Sequence, residues 1–213
     1  IPLDSALSAQ ENAKKFFKQY RKGKLGKAYA ESQVEGLAAE IDYLEGQLEN
    51  IEKCDTLYEL YEIKDELIRE KYLRPEKARS PKPGNKASAP MRFVSSDGIT
   101  ILIGKNNRQN DALTLQTAKS DNLWLHAKNI PGSHVIIDFE GEPPEQTLKE
   151  AAALAAYYSQ ARLSSGVPVD YTPRRFIKKP SGARPGMVVY STNRTLYVTP
   201  DAALIQRLKA QSE

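Results

Sequence analysis

Apolar residues fall at Val34, Leu37, Ile41, Leu44, Leu48 and Ile51, in alternating steps of three and four that align them along one stripe of a helix. No proline occurs between Leu3 and Arg74, and Ala, Glu, Leu, Lys and Gln dominate the stretch. The spacing predicts a helix from Ser8 to Glu52, a break around Lys53 to Asp55, and a second helix to about Tyr72, with Thr56 and Glu59 in capping-box positions. The first helix would be about 66 Å long and the second about 25 Å, so the shorter cannot cover the heptad seam of the longer. Either the first helix folds back near Gly23 or Gly26, or the seam is covered by a part of the protein outside this sequence or by a second copy. The second explanation is favoured, with a homodimer through the helical arm among its forms, because an isolated glycine costs only about 1 kcal/mol in a helix.

The pattern changes between Arg74 and Pro90, where five prolines and glycines sit among Lys77, Arg79, Lys82 and Lys86 and predict a linker. Beyond it, Met91 to Ser96 and Ile99 to Ile103 flank Asp97-Gly98, a hairpin signal. A short helix is expected over 107–118, strands over 123–127 and 135–139, and a longer helix over 145–162 on the strength of its Ala-rich run. Short strands fit 167–171, 187–190 and 196–199, and Asp201 can cap a last helix through Leu208. The expected fold class is therefore α+β: a long helical coiled-coil arm over 1–74, a Pro/Lys-rich linker over 75–90, and a compact domain with a mainly antiparallel sheet over 91–213.

Composition narrows the classes. Of 213 residues, 40% are hydrophobic and 27% charged, and no run approaches the roughly 18 apolar residues of a spanning helix. Cys54 is the only cysteine, which excludes an intrachain disulfide and favours a reducing, cytoplasmic setting. The opening residues Ile1-Pro2-Leu3-Asp4 resemble a piece cut from a longer protein. The net charge of +4 conceals segregation. Lys14, Lys15, Lys18, Arg21, Lys22, Lys24 and Lys27 form a tract without an acid, whereas Glu31 to Glu70 carries a local charge of −10. A solvated helix face is the plain explanation of the basic tract; Phe16, Phe17, Tyr20 and Tyr29 among the lysines favour contact with a polyanion, or form the helix's own apolar face.

A second basic cluster comprises Arg162, Arg174, Arg175, Lys178, Lys179, Arg184 and Arg194, with Tyr171, Phe176 and Tyr190 interspersed. Backbone-neutralising charge beside stacking faces suits single-stranded nucleic acid, and composition supports an ordinary basic loop equally well. Both histidines lie in Asp121 to His134. Alternation puts Leu123, Leu125 and Ala127 on one strand face and Trp124 with His126 on the other. The histidines could ligate zinc, or join Ser133 and Asp138 in a hydrolytic set, yet a catalytic zinc wants a third protein ligand and no HExxH, GxSxG or P-loop pattern occurs. A structural or RNA-contact role is preferred, with no catalytic residue, metal or cofactor assigned.

The run DNLWLHAKNIPGSHVII, residues 121–137, resembles the signature of the NFACT RNA-binding domain. GKNNRQNDALTL at 104–115, Val169 to Tyr171, IKKPSGARPGMVVY at 177–190 and Leu196 to Pro200 support the resemblance. Leu3-Asp4, Asn12-Ala13, Tyr43-Leu44, Asp65-Glu66-Leu67 and Tyr72-Leu73 are similar to the family's coiled-coil middle region. The resemblance implies the carboxyl-terminal half of a bacterial ribosome quality control protein of the NFACT family, members of which are also labelled fibronectin-binding. It implies binding to obstructed large ribosomal subunits, rRNA and tRNA, in support of alanine tailing of stalled chains; fibronectin is the less favoured partner, and no membrane is involved. The expected RNA-facing residues are Trp124, His126, Lys128, Asn129, Ser133, His134, Arg174, Arg175, Lys178 and Lys179, with the basic tract from Lys14 to Lys27 as the arm's ribosome contact.

Overall fold

A computed structural model describes residues 1–75 and 88–210. It divides into two units, Ile1–Tyr43 and Leu44–Glu213, and most of the expected linker lies outside the described residues. Helix α1 (Ala9–Glu52) runs without interruption through Gly23 and Gly26, so the fold-back alternative does not hold. Its entry is fixed by a reciprocal cap: the Glu11 carboxylate accepts from the Ser8 backbone N–H at 2.8 Å and from Ser8 Oγ at 2.7 Å, and the Glu11 N–H donates to Ser8 Oγ. Asn12, buried at this end, donates to the carbonyls of Asp4 and Leu7 and accepts from the Asp4 N–H. All six seam residues, Val34 to Ile51, are exposed.

Helix α2 (Leu57–Arg69) begins where expected, with the Glu59 N–H donating to Thr56 Oγ1 and the Glu59 carboxylate accepting from the Asp55 N–H. Within the second unit α2 packs its acidic face on the α+β domain. Glu59, 2% exposed, pairs with Lys105; Glu62 accepts from Asn106 Nδ2 at 3.0 Å; Glu66, also buried, accepts from Asn107 Nδ2 at 3.1 Å and from Gln47 Nε2. Arg108 reaches Asp65 at 3.1 Å. This stretch of the acidic tract is therefore a docking face rather than a solvated one.

The domain is α+β. Strands β1 (Met91–Val94), β2 (Thr100–Ile103), β3 (Leu123–Ala127), β4 (Val135–Ile137), β5 (Val167–Pro173) and β8 (Arg194–Val198) form a six-stranded sheet in the order β1-β2-β4-β3-β5-β8, antiparallel throughout. Strands β6 (Ile177–Lys178) and β7 (Val189–Tyr190) form a separate ribbon, so the expected strand over 187–190 shrinks to its last two residues. Helices α4 (Glu145–Tyr157) and α5 (Ala202–Ala210) cover one sheet face. There Leu123, Leu125 and Ala127 join Ile101, Ile103, Val135 and Ile137 against Leu154 and against Ala151, Ala152, Ala155 and Ala156, whose small side chains let α4 lie close to the sheet.

Helix α4 stops five residues short of the expected Arg162. Its continuation is recruited by the β3–β4 loop instead: the Ser133 N–H donates to the Tyr158 carbonyl at 3.0 Å and the Gln160 N–H to the Pro131 carbonyl at 3.0 Å. At Gly132 a Cβ would lie 2.9 Å from Ser159 Cβ, so the close approach requires glycine. At its start α4 is clasped by the β1–β2 turn, where Asp97 accepts from the Thr147 N–H and hydroxyl and buried Glu150 accepts from the Ser96 N–H at 2.9 Å and hydroxyl at 2.5 Å. Helix α3 (Asn107–Ala112) tightens into a π-helical turn, Leu113–Thr117, over the opposite sheet face.

Candidate nucleic-acid interface

The second sheet face carries the signature residues. Alternation along β3 turns Trp124 and His126 to this side, and pairing with β4 and β5 sets Trp124 between Ile136 and Thr172. Trp124 is 1% exposed and sits among Leu113, Ile136 and Ile177. His126 stacks on its ring at a centroid distance of 5.6 Å, His134 meets it edge-on at 5.2 Å, and Tyr190 tilts against it at 5.2 Å. His134 Nδ1 shares a 2.7 Å hydrogen bond with Thr114 Oγ1, and its backbone N–H donates to Asn110 Oδ1 at 3.0 Å. Asn110 fits only because residue 104 is glycine; a Cβ there would come within 2.1 Å of Asn110 Oδ1.

Burial sets the ionisation of this cluster. It pushes His126 down to about 4, with the Lys53 ammonium adding to the effect, and holds His134 well below the ordinary imidazole value, with His126 adding to it. Both rings are therefore neutral at physiological pH. Lys53, half-buried and donating to the Tyr158 carbonyl at 2.8 Å, is lowered to about 8 by the same desolvation. Tyr190 is pushed up to about 12 by burial and by donating to Asp170 Oδ2 at 2.9 Å. Asp170, itself buried, also accepts from Thr195 and lies 3.6 Å from Lys128 Nζ.

These placements divide the expected RNA-facing residues. Trp124, Ser133 and His134 are buried, so the expectation that they face a partner does not hold in this structure: they close the core beneath the π-helical turn, and His126 is only partly accessible. Trp124 Nε1, Ser133 Oγ and Thr172 Oγ1 are buried without a hydrogen-bond partner among the described residues. Arg174 also serves the fold, donating to the Thr114 and Leu115 carbonyls at 2.9 Å, where the π-helical turn leaves acceptors open. Lys179 pairs with Asp111. The exposed members are Asn129, held at φ 57° in the loop, Arg175, which pairs with Asp121, and Lys178, which has no ion-pair partner among the described residues.

Asp138 is exposed beside Asn122, away from the buried Ser133, so the hydrolytic grouping does not assemble. Among the described residues no three His, Cys, Asp or Glu side chains are grouped to hold a metal, and no helix is long and apolar enough to cross a membrane. In the first unit, Lys14, Lys15, Lys18, Arg21, Lys22, Lys24 and Lys27 are all exposed, with Lys15 3.3 Å from Asp4 and Lys27 3.7 Å from Glu31. Phe17, Tyr20 and Tyr29 are exposed among them. Sequence reasoning counted Arg194 in the second basic cluster without placing it among the RNA-facing residues, and left Tyr197 out; both are exposed on strand β8, and being three residues apart they lie on opposite faces, so no alternation singled them out.

Comparison with known proteins is consistent along the chain. Residues 1–86 match the NFACT N-terminal and middle domains, and residues 90–191 match the NFACT protein RNA binding domain. A protein of Bacillus subtilis named Rqc2 homolog RqcH is 44% identical over 210 residues, covering 98% of this chain and 36% of the relative. Its Streptococcus pneumoniae counterpart is 40% identical over 98% of this chain and 37% of its own length. The chain thus spans little more than a third of these relatives. A solved structure of the C-terminal part of the fibronectin/fibrinogen-binding protein from Streptococcus suis superimposes with a TM-score of 0.82 at 39% identity, covering 94% of this chain and 80% of that one.

Proposed function

The chain belongs to the NFACT family, and from that premise we propose that it is the RNA-contacting segment of a ribosome quality control factor, acting by binding rather than catalysis and located in the cytoplasm. The observation that carries the reading is the match of residues 90–191 to an RNA binding domain, within which Arg175 and Lys178 project into solvent. The exposed basic tract of α1 supports a second contact, since seven cations on consecutive turns suit a large polyanion such as rRNA. In the longer proteins to which this chain is similar, such contacts would hold an obstructed large ribosomal subunit and a tRNA during alanine tailing.

Substituting Lys178 and Lys179 by Glu tests the domain surface. Binding to purified large subunits should weaken, and four phosphate contacts to single-stranded RNA would give a slope of log affinity against log salt of about −3. Unchanged binding by a folded variant would count against this surface. The similarity to a fibronectin/fibrinogen-binding protein fragment supports a second reading, adhesion to an extracellular matrix protein. A pull-down that compares large subunits with fibronectin in moderate salt separates the two, and retention of fibronectin alone would favour adhesion.

A further inference from the structure

The sheet face that α4 and α5 cover is open at one end. A cleft of about 480 Å³ lies there, floored by Leu123, Tyr171 and Pro173, within the range of roughly 300–1,000 Å³ that small-molecule sites occupy. Register explains the floor: Leu123 opposes Pro173 and Tyr171 opposes Arg194, so these side chains rise from one face of the sheet. The rim holds two guanidinium groups, each beside a carboxylate. Arg175 pairs with Asp121, and Arg194 lies 3.7 Å from Glu142. Arg175 also sits over the Phe176 ring, 5.1 Å from its centroid, which restrains its plane.

Both ion pairs are solvent-exposed, and such pairs are weak enough to be exchanged for a phosphate at little cost. The released carboxylates, with the amide of Asn193 on the same rim, accept from exocyclic amines and from a ribose 2′-hydroxyl. Tyr171 supplies a flat apolar surface between them. An apolar ligand would leave the rim unused, and a bare anion would leave the floor unused; a nucleotide uses both. A stacked base pair does not enter a cleft of this size, whereas an unpaired base does.

Resting on the RNA-binding reading above, we propose that this cleft takes one unpaired nucleotide of single-stranded RNA, with its base against Tyr171 and its flanking phosphates on Arg175 and Arg194. The test uses a ten-nucleotide single-stranded RNA carrying 4-thiouridine, photocrosslinked to the chain and titrated against it and against Arg175→Gln/Arg194→Gln. Crosslinks should map to the β5 peptide that contains Tyr171. The double variant should bind at least about tenfold more weakly, with a salt slope shallower by about 1.4, the value for two phosphates. RNA bound equally well by the variant, or crosslinked elsewhere, overturns the cleft while RNA binding stands. Absence of RNA binding by the unsubstituted chain overturns both readings. A ribonucleoside monophosphate that binds as tightly as the oligomer overturns the assignment to an RNA strand.

Discussion

Mild acid should destabilise the α+β domain through its paired histidines. In the fold, His126 is held down to about 4 and His134 well below the usual value, both chiefly by burial, whereas in the unfolded chain both return to about 6.5. A lowered folded-state value on a base means that the unfolded state binds more protons. The stabilisation is therefore fully present above about pH 6.5 and is lost as pH falls toward 4. Between pH 7 and pH 5 the unfolded-state protonation of one such histidine is worth about 2 kcal/mol, so the pair costs about 4 kcal/mol. Trp124 is the only tryptophan and lies against both rings, so urea unfolding followed by its fluorescence reports on this domain. Carboxylates begin to titrate near pH 5 as well, and the reference is therefore the double variant His126→Gln/His134→Gln. Its loss of stability between pH 7 and pH 5 should be smaller by about 4 kcal/mol. Equal losses in the two proteins, or a stability that stays flat to pH 5, would refute the argument.

Gly104→Ala should destabilise the domain by about 1–3 kcal/mol, because the added methyl displaces the Asn110 amide that receives the His134 N–H; urea midpoints measure it. Leu154→Ala, at a fully buried position of α4, should cost about 2–5 kcal/mol in the same assay. Glu59→Ala leaves Lys105 without its carboxylate at the joint of α2 with the domain, and a loss of about 2–4 kcal/mol is expected, less than for a fully enclosed pair because Lys105 retains some solvent contact. Charge reversal at Lys18 and Arg21, both exposed, should leave thermal stability unchanged and weaken binding to large ribosomal subunits.

The elements with strong local signals were legible in the sequence. Thr56 and Glu59 announce the start of α2, Asp97-Gly98 the first hairpin, and the Ala run α4, because caps, turn residues and helix propensity act within a few residues of one another. Helix ends were less legible where distant chain captured them. Nothing in the run Tyr157 to Arg162 says that the helix should stop, since the cause is the distant β3–β4 loop, whose Ser133 N–H donates to the Tyr158 carbonyl and whose Pro131 carbonyl accepts from the Gln160 N–H. The docking role of the acidic stretch from Glu59 to Glu66 was not legible for the same reason: its partners, Lys105 to Arg108, lie about forty residues away.

The candidate site illustrates a more general ambiguity in reading motifs. The residues that make DNLWLHAKNIPGSHVII recognisable are mostly those that hold the β3–β4 hairpin together: Trp124, His134 and Ser133 are buried, and Gly132 permits a contact no other residue could make. GKNNRQN behaves alike, with Asn106 capping α3, Asn107 and Lys105 bonding α2, and Asn110 fixing His134. A dense polar motif satisfies buried backbone groups as readily as it binds a ligand, because both tasks need the same donors and acceptors at fixed spacing. On the proposed RNA-binding reading, surface recognition would fall instead to residues with little local signature, such as Arg175, Lys178 and Arg194, whose exposure only the fold reveals. It follows that substitutions in the motif should be read first in stability and those on the exposed cations first in RNA affinity. A variant such as Lys178→Glu that lost stability rather than binding would reverse that division.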